Sequence, residues 1–413
     1  MKHLSKTSAL YLQASMLACF LAGASAPTRL DALLTVENGF PPEIFSVFYG
    51  ICAFAALLSL LVVGSLSDYI GRRPVLIVAA LLHATSMWLF TRVQGVPTEE
   101  LFVGRVLQGV AIGGAVSALG AGMLDVAPAK GIMANVIAWM LGVATAGVTG
   151  SFLQYLPNPT RLTYAVFGAI YLALAIGVAL MPESLTVRAG TRAWLRPSFR
   201  LPREVLKPLL LAMPTWLASS GMLGFYCWHG PDLLRYFELI RLQPASGWIF
   251  YAPGTSPPSG LLALGGLTLF AFGGGAVGAV RLTFKCTPCD GTRVGMVLLL
   301  LGSALTMLAM RISSSPLLFV ACVIAGAGSG AAWQAALCSV LLIASPPQRA
   351  AVSSVLYLVV CVATALPALL NSWLYGGERY SLYEYLSCVM VLAALALVCL
   401  VCSKNIAGRI EER

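Results

Sequence analysis

Long apolar runs recur along this chain, and they constrain its fold more than any other feature. They fall near residues 9–31, 44–66, 75–92, 101–123, 133–155, 162–181, 208–228, 260–280, 294–311, 316–343, 351–374 and 382–402, with polar breaks between them. Most are about 20 residues long, the length a helix needs to cross the hydrocarbon core of a bilayer. A lone strand in lipid would leave its backbone unsatisfied, so the runs read as helices. Composition agrees. Of the 413 residues, 59% are hydrophobic and 10% are charged, whereas a soluble domain carries roughly 25% charged residues. So few charges cannot solvate a surface of this size. That excludes a soluble enzyme, a nucleic-acid-binding module and a disordered chain. It predicts an all-α polytopic membrane protein of twelve spans.

The first run has two readings. Lys2 and Lys6 precede an apolar stretch that ends in Ala24-Ser25-Ala26, a pattern shared with cleavable secretory signals. Retaining it as a span keeps the span count even and places both termini on the same side. Basic residues then supply a test of orientation, because cytoplasmic loops are enriched in Lys and Arg. With the N-terminus inside, every lysine and most of the arginines fall on the cytoplasmic side. The net charge of +10 therefore reflects topology rather than affinity for nucleic acid. One basic residue does not fit: Arg105 lies within the fourth run.

Two connections are long. Residues 182–207 form a basic segment placed inside, which reads as a linker between a first half, 1–181, and a second half, 208–413. Residues 229–259 form an outer segment rich in Pro and Gly, with Trp248, Phe250 and Tyr251 clustered in it. This segment either caps the outer face or rests passively at the interface. The eleven cysteines are an odd number, mostly scattered through apolar runs, which argues against a disulfide framework. Cys286 and Cys289 make a lone C-x-x-C in an inner loop, and the three histidines, His3, His83 and His229, form no cluster. Neither feature predicts a metal or a cofactor.

The halves repeat. Val143-Ala144-Thr145-Ala146 recurs as Val362-Ala363-Thr364-Ala365, an offset at which Gly109 meets Gly328, Pro128 meets Pro347, Lys130 meets Arg349 and Arg92 meets Arg311. Six spans thus map onto six in the same orientation. Parallel repeats of this kind imply a pseudo-two-fold axis along the membrane normal, with a site between the halves.

One motif closes the second span. In the stretch Gly64 to Pro74, Asp68 and Arg72 stand four residues apart, where helical side chains can pair. Gly64 permits close helix contact. Gly71 allows the chain to leave the helix with positive φ. Arg72 and Arg73 follow.

At these residues the chain resembles the major facilitator superfamily. The stretch is similar to its loop 2–3 signature, G-x-L-x-D-x-x-G-R-R, with Tyr69 at a position that is usually basic. Leu101, Arg105, Gln108, Gly109 and Ala111 resemble the fourth-span pattern of proton-coupled members, and Pro182-Glu183-Ser184 resembles the motif that follows the sixth span. The fifth-span antiporter signature is degenerate: Gly142, Gly147 and Gly150 are present but its proline is absent. The resemblance implies two six-helix bundles and alternating access. It also implies a cytoplasmic latch formed by Gly64, Asp68, Gly71, Arg72 and Arg73. In that latch Asp68 would meet the start of span eleven near residues 352–354, and Arg72 would pair with Asp125 at the inner end of span four. The second-half loop, 281–293, keeps only Asp290, Gly291 and Arg293 of the pattern.

Outside the loop 2–3 stretch, Arg105 is the strongest functional candidate. A buried intramembrane arginine is costly, and its repeat partner is Ile324, so the fold does not require it. Asp31 ends the first span at a similar outer depth, and an Asp31–Arg105 pair that breaks during transport would switch a proton. Alternatively, Asp31 sits in water or pairs with Arg29. Polar and aromatic residues near mid-span, namely Tyr49, Gln108, Trp216, Tyr226, Trp333, Gln334 and Asn371, are candidates for a substrate cavity, although each single aromatic also fits a packing role. No P-loop is present, so ATP hydrolysis is not expected.

The predicted protein is a secondary transporter of the bacterial inner membrane with both termini cytoplasmic. It acts as a monomer on a small amphipathic molecule, in contact with lipid and protons, without nucleic acid, cofactor or catalytic residue. Proton-coupled efflux is the first reading. Uptake of a sugar-like or organic solute is the second, and a polytopic sensor or enzyme the third.

Overall fold

The structure is a computed structural model that describes residues 5–25, 43–92, 98–152, 158–183, 203–242, 259–344, 349 and 352–364. Among these residues every regular element is an α-helix. In chain order they are α1 (Lys6–Ser25), α2 (Glu43–Ile70), α3 (Arg72–Thr91), α4 (Thr98–Val126), α5 (Pro128–Phe152), α6 (Pro159–Ala179), α7 (Arg203–Leu242), α8 (Ser259–Leu282), α9 (Pro288–Arg311) and α10 (Ser315–Leu341), with α11 at Val352–Thr364. Each of the first eleven predicted spans overlaps one of these helices. The twelfth, 382–402, lies outside the described residues.

Eight of the helices are long and apolar enough to cross a membrane, and α2, α8 and α11 contain shorter apolar stretches. Large side chains such as Phe54, Trp88, Leu172, Ile176 and Phe270 stand exposed on them. Bare apolar surface of this kind suits lipid, not water.

One expectation is corrected. The sequence predicts that the connection after span seven, rich in Pro and Gly, begins at residue 229. Helix α7 instead continues to Leu242. Proline is tolerated inside membrane helices where neighbours re-satisfy the freed backbone.

Contacts divide the chain into two units. One comprises Met1–Gly142, Phe152–Leu206 and Val340–Leu358; the other comprises Val143–Ser151, Lys207–Ser339 and Val359–Arg413. Within the first unit, α4 packs against α1, α2 and α3, while α6 packs against α1 and α3. Helix α4 is accordingly the most enclosed of the candidate spans.

Small residues set the closest approaches. On α4, Gly109 and Gly113 lie against the backbone carbonyls of Cys52 and Ala56 in α2, where a side chain would collide with them. In the second unit, Gly326 and Gly330 of α10 lie in the same way against the carbonyls of Phe272 and Ala276 in α8. Small residues spaced by four let membrane helices meet backbone to backbone. The seam therefore recurs in both units, shifted by two residues from the register of the sequence repeat.

Candidate functional site

The junction of α2 and α3 is built on Gly71, whose φ of 100° is a conformation that favours glycine. The turn starts α3 at Arg72 and brings Pro74 into its first turn, where a missing N–H costs nothing. The exposed backbone amides of that turn are capped from a distance in sequence: the Glu183 carboxylate accepts from Arg72 N–H at 2.9 Å and from Arg73 N–H at 3.0 Å. A negative charge here also suits the positive end of the helix dipole. A side chain at Gly71 would strike that carboxylate.

The two arginines then turn inward. Arg72 is 1% exposed. Its guanidinium donates to the Ser67 hydroxyl, and Nε lies 3.5 Å from Asp125 Oδ2 at the end of α4. Arg73 donates to the carbonyl of Ala179 at the end of α6. The cluster thus ties α2, α3, α4 and α6 together at one end of the first unit. Gly64 and Asp68 lie in α2, but the side chain of Asp68 is outside the described set, and so is its expected meeting with residues 352–354.

Deeper in the same unit, Arg105 is 4% exposed. It donates to Gln108 Oε1 at 2.8 Å and lies 5.0 Å from the centre of the Phe90 ring. A guanidinium over an aromatic face gains from the ring quadrupole. Gln108 is wholly buried. Its Nε2 donates to the Gly23 carbonyl of α1 at 3.4 Å and lies 3.5 Å from His83 Nε2 of α3. The His83 ring stacks on Tyr171 at 4.1 Å and meets Phe20 edge-on at 4.7 Å. Sequence reading placed Arg105 and Gln108 correctly on one helix, but passed over His83, which looks like an isolated residue in an apolar run. Asp31 lies outside the described residues.

A third polar contact was also missed. Asn135 of α5 faces Tyr357 of α11, and Trp139 stacks on Tyr357 with ring centres 5.5 Å apart. All three residues belong to the first unit. No local signal in the chain links them.

The second unit holds the remaining cavity candidates. Trp216 of α7 and Trp333 of α10 meet edge to face at 5.7 Å. Tyr226 lies 2.5 Å from the Thr306 hydroxyl of α9. Gln334 is buried beside Trp333. Among the described residues the buried side chains of this unit include hydroxyls and an amide but no charge; the buried arginines, Arg72 and Arg105, are both in the first unit. The side chain of Tyr49 and all of Asn371 are outside the described set. Among the described residues no cluster of metal-ligating side chains occurs.

Apolar helices carrying buried polar networks, in a chain with 10% charged residues, define a polytopic membrane protein. The family model of the Major Facilitator Superfamily matches residues 12–286. The chain belongs to that superfamily, whose members are membrane transporters, and it has the superfamily's all-helical fold. Among solved structures it is similar to the crystal structure of the human organic anion transporter MFSD10 (TETRAN). The TM-score is 0.65 at 17% identity, with 97% of this chain and 100% of that chain covered. Among curated proteins it is similar to sugar transporter ERD6-like 6 of Arabidopsis thaliana, 28% identical over 170 residues. That match spans 40% of this chain and 33% of the relative's own length.

Proposed function

We propose that this protein is a secondary transporter that exports a small amphipathic solute in exchange for protons by alternating access. Arg105 carries the reading. It is a nearly enclosed cation at a position where the repeat has Ile324, and a buried intramembrane charge is a functional residue by default. Asp31 and Arg105 form the proton-coupling pair in this reading. Gly64, Asp68, Gly71, Arg72, Arg73 and Asp125 form the latch that holds the inner side closed. Tyr49, Gln108, Trp216, Tyr226, Trp333, Gln334 and Asn371 line the solute path. The halves 1–181 and 208–413 rock about the 182–207 linker, as a monomer in a bacterial inner membrane with both termini inside.

A second reading, uptake of a sugar-like solute, is favoured by the relative whose name is that of a sugar transporter. Right-side-out and inside-out vesicles, assayed with and without an imposed pH gradient, separate the two. Ethidium is the amphipathic probe and labelled glucose the sugar probe. Gradient-driven ethidium entry into inside-out vesicles supports export. Glucose entry into right-side-out vesicles without ethidium transport supports uptake instead.

A further inference from the structure

His83 has the surroundings of a working group more than of a packing residue. It is wholly buried where α1, α3, α4 and α6 meet. Tyr171 and Phe20 hold its ring on two sides, and Tyr171 is fixed in turn by donating to the Cys19 carbonyl at 3.0 Å. Its Nδ1 has no hydrogen-bond partner among the described residues. A buried orphan polar atom is uncommon in folded proteins, and a role in the mechanism is one of its recognised explanations.

The hydrogen-bond pattern around Gln108 assigns the ring proton to one nitrogen. Gln108 Oε1 accepts from Arg105, and it also accepts from the Cys52 thiol at 3.7 Å. Gln108 Nε2 donates to the Gly23 carbonyl. Both ends of the amide are therefore assigned by other groups. The N–H that faces His83 makes Nε2 of the ring an acceptor, so the single ring proton sits on Nδ1.

We propose that His83 is a proton-binding site of this carrier, read by Arg105 through the Gln108 amide. The inference rests on the proton-coupled reading above and adds a residue to it. A proton from the aqueous phase that the carrier faces forms an N–H bond at Nε2, and the same bond breaks to release it on the other side. Protonated Nε2 is a donor pointed at a donor. Gln108 must turn, and turning takes its oxygen from Arg105 and its N–H from Gly23 of α1. Arrival of a proton thus takes one acceptor from the arginine and loosens α1 from α4 in one step. Arginine itself keeps its charge and cannot carry the proton, whereas an imidazole can take one up and give it back. Among the described residues, the other ionisable groups around the ring are Tyr171 on α6, Cys19 on α1, Cys52 on α2 and Arg105 on α4. A neutral phenol and two thiols leave Arg105 as the one permanent charge in that set.

The test uses the full chain in lipid nanodiscs with ring-15N histidine and guanidinium-15N arginine, the Arg105 signals being assigned by their loss in Arg105→Met. The chain has three histidines, so His3→Asn and His229→Asn leave His83 as the sole labelled ring. At high pH the proposal expects the proton on Nδ1. On acidification from about pH 8 to about pH 4 it expects a second proton at Nε2 and a shift of the Arg105 guanidinium signals with the same midpoint. Gln108→Leu should leave the ring titrating while the arginine shift is lost. A ring that stays neutral across this range, or an arginine that ignores its titration, overturns the proposal. Proton flux separates the two levels. If wild type moves no protons with any solute, the proton-coupled reading fails and this inference with it. If wild type does, and His83→Phe keeps the same pH profile, the inference alone fails.

Discussion

The Tyr357 hydroxyl lies against the Asn135 side-chain amide, 2.7 Å from Nδ2 and 2.9 Å from Oδ1. The hydroxyl serves as both donor and acceptor, and both residues are buried. A side chain at Gly120 of α4 would crowd both groups. Three helices thus share one enclosed contact.

Tyr357→Phe removes the hydroxyl and leaves a buried amide short of partners. We expect a loss of about 1–3 kcal/mol in unfolding of the purified protein. Pairing it with Asn135→Leu should recover part of that loss, because two apolar groups leave nothing unsatisfied. An unchanged unfolding curve for Tyr357→Phe would count against the contact.

Glu183, four residues past the end of α6, caps α3. Glu183→Ala should cost about 1–2 kcal/mol, the range seen when a helix cap is removed. Glu183→Gln keeps an acceptor but loses the charge, so it should fall between Ala and wild type. Thermal unfolding in detergent ranks the three.

Arg72 is buried more deeply than its partner Asp125, whose side chain is 14% exposed. Asp125→Asn leaves a cation without its counter-charge and should destabilise by on the order of 3 kcal/mol. Arg72→Met in the same chain should restore stability without restoring transport, if the pair acts as a latch. Unfolding and vesicle transport, measured on the same preparations, distinguish the two effects.

The α2–α4 seam has no room at Gly113, while a side chain at Gly278 of α8 meets nothing within 4 Å. Gly113→Leu overpacks a backbone contact and should cost about 3 kcal/mol, the upper end for overpacking. Gly278→Ala should be neutral or stabilising by up to about 1 kcal/mol from helix propensity. Fluorescence-detected size exclusion after heating reads both.

The helices were legible in the sequence because burial in lipid leaves a continuous apolar run. Arg105 and Gln108 were legible for a related reason: a charge and an amide stand out where everything else is apolar, and three residues' separation puts them on one face. The glycine seams were written in the chain as well, since Gly109 and Gly113, and Gly326 and Gly330, keep the spacing of close-packed membrane helices. The partners of His83, Glu183 and Asn135 were not. Tyr171, Arg72 and Tyr357 reach them from other helices, and no periodicity in one segment encodes which helix will lie beside it. The length of α7 was hidden for a different reason. Gly230 and Pro231 commonly break helices, but α7 runs through them to Leu242.

Proton exchange that depends on Arg105 is the account's central claim, and inside-out vesicles with an acidified lumen test it most directly. Ethidium is added outside while lumenal pH is followed. The account predicts that wild type concentrates ethidium and that protons leave the lumen as it does so. It predicts that Arg105→Met, inserted at the wild-type level, does neither. Ethidium accumulation by Arg105→Met at the wild-type rate, or accumulation by wild type without proton exit, would contradict it.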